Sequence, residues 1–194
     1  KGGSLNVKMV MLGDTGVGKT SIVTRWCSQV YQKSIAPTIG ANHQRRRLVV
    51  HGQETDAYIW DTAGAEQFSS LVPLYARSSA VAVVVAAADE LRSFESIATW
   101  IELLQSATDD IPPVVLAVNK IDLDEVVWKK TREQIEEEYK QEFSGIFFVS
   151  AATNEGIDNL FDFTAEQGVR FLQRMQPSPS RTLEEAPEKK DGCC

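Results

Sequence analysis

Val7-Lys-Met-Val-Met-Leu12 followed by Gly13-Asp14-Thr15-Gly16-Val17-Gly18-Lys19-Thr20 is the stretch on which the fold turns. Its first half is a short apolar run of strand character. Its second half fits the pattern G-x4-G-K-S/T and opens directly into a helical pattern beginning at Lys19. Glycines at these spacings let backbone N–H groups turn inward around phosphate oxygens, and a helix N-terminus adds partial positive charge. Lys19 supplies a point charge for the outer phosphates, and the hydroxyl of Thr20 is a ligand for Mg²⁺. At an ordinary glycine content of about 7%, the four fixed positions arise by accident in roughly one chain per hundred. The strand–turn–helix setting makes accident rarer still, so the stretch reads as a site for nucleotide phosphates.

Outward from this loop, strand-like and helical runs alternate. Leu48–Val50 and Ala57–Trp60 flank His51-Gly52-Gln53-Glu54, a turn signal that predicts an antiparallel hairpin. The runs 80–88, 114–118 and 146–149 are continuously apolar, as expected of parallel strands covered on both faces. Phe94, Ile97, Ile101 and Leu104 repeat at helical spacing, as do Ile157, Leu160, Phe161 and Thr164 with Phe171 beyond them. Thr131 and Gln134 form a capping-box pattern ahead of an acidic helix in which Glu136 and Lys140 stand four apart. Such alternation predicts an α/β doubly wound fold with ligands at the carboxyl ends of its strands.

The chain of 194 residues is 43% hydrophobic and 24% charged, with 20 Lys and Arg against 27 Asp and Glu, a net charge of −7. That is globular composition. An acidic balance argues against nucleic acid as a partner, because such binding needs a basic surface. No apolar run approaches the roughly 20 residues of a membrane span. Residues 1–6 are expected to be a disordered lead-in or trimmed end, residues 7–175 one domain, and residues 176–194 a Pro- and charge-rich disordered tail ending in Cys193 and Cys194. Cys27 is expected to be a small core residue, and the cysteine spacing, which suggests no disulfide framework or zinc site, fits a reducing cytosol.

Asn119-Lys120-Ile121-Asp122 follows the strand at 114–118, where a base-reading loop belongs. An ionised Asp122 accepts two hydrogen bonds from the N–H edge of guanine, whereas adenine offers no matching pair and would leave the carboxylate unpaired. Ser150-Ala151-Ala152, after the next strand, can add backbone donors. Trp60-Asp61-Thr62-Ala63-Gly64 places Asp61 to hold Mg²⁺ through water and Gly64 to offer its N–H to a terminal phosphate. Thr38, in Pro37-Thr38-Ile39-Gly40, can offer a hydroxyl to the metal and an N–H to phosphate. Two loops would then stay ordered only while the γ-phosphate is present.

The set GDTGVGKT (13–20), PTIG (37–40), WDTAG (60–64), NKID (119–122), Ser150-Ala151 and the terminal Cys-Cys resembles the small GTPases of the Rab family, over about residues 7 to 194. The resemblance implies a six-stranded, mostly parallel sheet with one antiparallel edge strand and helices on both faces. It implies that Gly13–Ser21 bind the phosphates, Thr20 and Thr38 ligate Mg²⁺, Tyr31 packs on the guanine edge, and Asn119, Lys120 and Asp122 read the base of GTP or GDP. It implies geranylgeranylation of Cys193 and Cys194, and cycling between cytosol and the cytoplasmic face of an endomembrane. The partners implied are an exchange factor, a GTPase-activating protein, a GDP-dissociation inhibitor and effectors, with a monomeric G-domain. The stretch Phe68–Tyr75 looks most like the early-endosomal subgroup.

Departures from the family pattern sharpen the expectations. Ala65 stands where the family has the Gln that orients attacking water, so intrinsic hydrolysis is expected to be slow. Lys19, Thr38 and Gly64 complete the expected catalytic set. Ala152 replaces a Lys that packs over the base, which predicts weaker nucleotide affinity with guanine preference retained. His43 replaces an aromatic in the effector patch it shares with Trp60 and Tyr75. Arg45, Arg46 and Arg47 are expected on a solvated edge strand. Two rivals stay open: a nucleotide-locked scaffold that no longer hydrolyses, favoured by Ala65, and an ATP-dependent small-molecule kinase, disfavoured by Asn119 and Asp122.

Overall fold

The computed structural model describes residues 4–33, 35–64 and 70–175. Six strands form one sheet in the order β2-β3-β1-β4-β5-β6. They are β1 (Leu5–Leu12), β2 (Ala41–Val50), β3 (Gln53–Thr62), β4 (Val81–Ala87), β5 (Val114–Asn119) and β6 (Gly145–Phe148). All neighbours run parallel except β2 and β3, which pair antiparallel from Ala41–Thr62 to Val50–Gln53. The architecture is the one expected: a mostly parallel six-stranded sheet with a single antiparallel edge strand.

Strand β4 shows why a wholly apolar run belongs in the middle. Val81, Val83, Val85 and Ala87 face one core with helices α1 (Lys19–Ser28) and α6 (Ile157–Met175). Ala82, Val84 and Ala86 face a second core with α2 (Val72–Ala76), α3 (Leu91–Glu95), α4 (Ile97–Ala107) and α5 (Arg132–Tyr139). Because side chains alternate across a strand, burial on both faces demands apolar residues at every position. Trp26 of α1 stacks on Phe161 of α6 at 4.2 Å, closing the first core.

Several local expectations shift. The hairpin is longer than its apolar residues suggest: only His51 and Gly52 form the turn, at φ 48° and 79°, and Gln53 and Glu54 already belong to β3. Two successive positive φ values match the right-handed twist of the flanking strands. Strand β1 starts at Leu5 rather than at residue 7, because Leu5 and Asn6 pair with Thr55 and Asp56. The helical run around Phe94–Leu104 is two helices meeting at Ser96, whose N–H bonds Arg92 O. The last strand ends at Phe148, with Val149 still donating to Val118 O. The capping box at Thr131 and Gln134 forms as expected, but Lys140 pairs with Glu137, three residues back, rather than with Glu136. Cys27 is half-buried rather than fully in the core, and burial pushes its thiol above the ordinary range.

The three arginines are an edge strand, as expected, though none is free in water. Arg45 and Arg47 both pair with buried Asp56, at 2.9 and 3.2 Å, while Arg46 on the opposite face lies over Trp26 and donates to its carbonyl. Ala65, the tail from residue 176, Cys193 and Cys194 lie outside the described residues.

Candidate nucleotide site

At the carboxyl ends of β1, β3, β5 and β6 the loops converge on one cavity of about 490 Å³. That is the volume of a small-molecule site. It contains most of the residues singled out from the sequence. Gly16, Gly18, Lys19 and Thr20 form its floor. Tyr31 and Thr38 come from the segment between α1 and β2, Gly64 from beyond β3, and Asn119, Lys120, Asp122, Ala151 and Ala152 form the far end. Thr15 and Ser21 line it as well. Gln32, Lys33, Ile35 and Leu123 line it too, and no pattern in the sequence marks them.

The phosphate end is built from backbone. Gly18, at φ 99°, caps α1 without any side-chain acceptor, so the first N–H groups of that ten-residue helix stay available to an anion. Lys19 is buried and donates to the carbonyls of Gly13 and Asp14 at 2.7 and 2.8 Å. Burial pushes its pKa down to about 8, against the opposing pull of Asp61 and Asp14. A cation held that way is short of negative charge. Gly64 passes so close to the backbone of Asp14 and Thr15 that a Cβ there would overlap both. Two expected phosphate-loop residues turn their side chains elsewhere. Val17 is buried, and the carboxylate of Asp14 accepts from the Trp100 indole at 2.8 Å and the Ser96 hydroxyl at 2.6 Å, fastening the loop to α4.

Beside Lys19, three oxygens gather. Thr20 donates to Asp61 Oδ2 at 2.7 Å, which leaves its hydroxyl to accept from Thr38 at 3.0 Å. The other carboxylate oxygen, Asp61 Oδ1, is buried with no partner among the described residues, and burial pushes this carboxyl above its ordinary range. Hard oxygen donors around an orphaned carboxylate oxygen fit a divalent cation of the Mg²⁺ type. Thr62, by contrast, spends its hydroxyl on Met11 O.

The base end is held by Asn119. Its amide donates to Val17 O at 2.8 Å and accepts from Ala151 N–H at 3.2 Å, tying the phosphate loop to the loop after β6. Gly18 packs directly on that amide. Lys120, at φ 68°, pairs with Asp89 at 3.1 Å. Asp122 Oδ1 accepts from the Ser150 hydroxyl at 2.6 Å, leaving Oδ2 for a ligand. Sequence reasoning missed Arg25 of α1, which reaches this end from behind. Nothing in its surroundings along the chain marks it.

Outside the cavity, His43, Trp60 and Tyr75 form one aromatic strip, with centroids 5.2 and 5.6 Å apart. Tyr58 extends it, stacked on His43 at 5.5 Å. Among the described residues the strip therefore holds four rings where three were expected.

A family-level profile described as Ras family matches residues 8–169. The chain is 32% identical to the Ras-like GTP-binding protein RYL2 of Yarrowia lipolytica, across 98% of this chain and 99% of that one. It is 35% identical to the Ras-related protein RABF2b of Arabidopsis thaliana, across 92% and 87%. It is 32% identical to the Ras-related protein Rab-22A of Mus musculus, across 97% of each. On this similarity and this fold, the chain belongs to the Ras family of small GTPases, as a divergent member of its Rab branch.

Proposed function

We propose that this chain is a guanine-nucleotide switch of membrane trafficking, binding GTP or GDP with Mg²⁺ through the cavity above. The observation that carries the reading is the Thr38–Thr20–Asp61 chain beside a buried carboxylate oxygen with no partner among the described residues. Thr38 belongs to neither helix nor strand, and its hydroxyl meets that of Thr20 at 3.0 Å. When bound, Mg²⁺ neutralises charge building on the phosphates. Lys19 and the N–H groups of residues 15–20 would hold the phosphate oxygens, and Thr20, Thr38 and Asp61 would hold the cation, Asp61 through water. Gly64 and Thr38 offer N–H groups to the terminal phosphate, so both flanking segments relax when it leaves. Asp122 discriminates the base. Replacing it by Asn exchanges an acceptor for a donor, so Asp122→Asn should trade guanine for xanthine nucleotides. Unaltered GDP preference in that variant would overturn the assignment of the base.

Hydrolysis is slow on this reading, because the methyl group of Ala65 cannot orient a water. Single-turnover hydrolysis should rise several-fold in Ala65→Gln, and an unchanged rate rejects the role given to position 65. The same residue favours a second reading, a nucleotide-locked scaffold. Turnover with and without a GTPase-activating domain separates the two. Geranylgeranyl groups on Cys193 and Cys194 would anchor the chain to the cytoplasmic face of an endomembrane, since two lipids hold where one is marginal. An endosomal membrane is favoured by the stretch 68–75. Tagged protein lacking the last two residues should be wholly cytosolic; retained membrane association would reject lipid anchoring there. Exchange factor, activating protein, dissociation inhibitor and effectors are the partners this cycle needs, with effectors meeting the strip at His43, Trp60 and Tyr75.

A further inference from the structure

Arg25 is the most fully used side chain around the base pocket, and it touches the pocket only from outside. Its Nε donates to Ala151 O at 2.8 Å, one terminal nitrogen to Ala152 O at 2.9 Å, and the other to Gln29 O at 3.1 Å. The guanidinium lies 5.6 Å from the centroid of Tyr31, which lines the cavity. One rigid group therefore joins the loop after β6, the C-terminal end of α1 and the start of the segment that carries Thr38. Lysine cannot do this, because a single ammonium has no planar fork to span carbonyls on neighbouring residues.

The loop's own donors show what the clamp achieves. Ala151 N–H is spent on Asn119 Oδ1 and Thr153 N–H on Ser150 Oγ. Ala152 N–H has no partner among the described residues. In a trans peptide the C=O and the following N–H point opposite ways. Arg25 fixes the Ala151 carbonyl outward, which turns the N–H of Ala152 to the other side, toward the cavity that Ala152 lines. We infer that Arg25 is a positioning residue for base recognition: by pinning Ala151 O and Ala152 O it presents the Ala152 N–H to the exocyclic carbonyl oxygen of guanine. The clamp gives the pocket rigidity that the methyl side chain of Ala152 cannot. This rests on reading residues 119–122 and 150–152 as the base pocket.

The test uses full-length protein loaded with GDP or with 2-aminopurine riboside diphosphate, which lacks that oxygen. Release rates are measured for wild type, Arg25→Gln and Arg25→Met. A hydrogen bond of this kind is worth about tenfold in affinity. Arg25→Met should therefore release GDP about tenfold faster, and the 2-aminopurine nucleotide at nearly its wild-type rate. Arg25→Gln, which keeps one loop bond, should fall between and supplies the measurement if the Met variant does not fold. The acceleration produced by EDTA should match wild type, because the metal end is untouched. Equal acceleration of both nucleotides, or GDP release within twofold of wild type, overturns the inference. Asp122→Asn separates this failure from the broader one: if that variant loses GDP while Arg25 variants do not, only the role of Arg25 falls.

Discussion

Asp61 has one oxygen paired and the other buried without a partner among the described residues, which calls for something else to complete it. Its pKa is raised because burial outweighs the Thr20 hydrogen bond and the pull of Lys19. Asp61→Asn should remove the metal's hold: EDTA should speed GDP release markedly in wild type and less than about twofold in the variant. An unchanged EDTA effect would reject Asp61 as a metal-site residue. Gly18 is the second residue on which much depends. Its φ of 99° suits glycine, and a Cβ would strike the Asn119 amide that ties the two loops together. Overpacking of this kind costs about 1–3 kcal/mol. Gly18→Ala should lower GDP affinity at least tenfold and the thermal midpoint by roughly 2–12 °C, at about 2–4 °C per kcal/mol. Calorimetry and equilibrium titration check both.

Among the elements, the β2–β3 hairpin joins the two segments that flank the phosphate end, and its charge clamp is local. Hydrogen bonds from Ser4, Arg45 and Arg47 hold the Asp56 carboxyl well below its ordinary value, at about 2. Folding therefore favours the ionised form. The stabilisation is complete above about pH 4 and drains away as pH falls from about 4 to about 2. In thermal melts, the gap between wild type and Asp56→Asn should be constant from pH 7 to about 5 and then close across that window. A gap independent of pH would mean that packing, not charge, holds the clamp. The first strand of this hairpin was also the least legible element. β4 and β5 announce themselves because two buried faces force continuous apolar runs. The stretch from Ala41 to Arg47 is polar because an edge strand keeps water on one side, and its few packed residues leave no period to read. The phosphate loop was legible for the opposite reason: backbone geometry there requires glycine at fixed spacing. The roles of Asp14 and Arg25 depend on partners 86 and 126 residues away in sequence, which no local pattern encodes.

For the whole molecule, ligand and fold are one equilibrium. The cavity draws on loops following four of the six strands, and Asn119 links the first of these loops to the last. Unfolding must therefore dismantle the site completely, and a nucleotide bound only to the folded chain stabilises it by mass action. At a free concentration a thousand times Kd this amounts to about 4.1 kcal/mol. A domain of this size gains about 2–4 °C per kcal/mol, so the midpoint should rise by roughly 8–16 °C with GDP and Mg²⁺. Replacing GDP by ADP at the same concentration should remove nearly all of the rise, because Asp122 would meet no pair of donors. Chelating the metal should remove part of it, because Asp61 then keeps an uncompensated charge beside the phosphates. The order GDP with metal, GDP without, ADP follows from the geometry alone. An ADP shift equal to that of GDP would mean that the chain binds phosphates without reading the base, and the switch would lose its specificity for guanine while its phosphate loop stood.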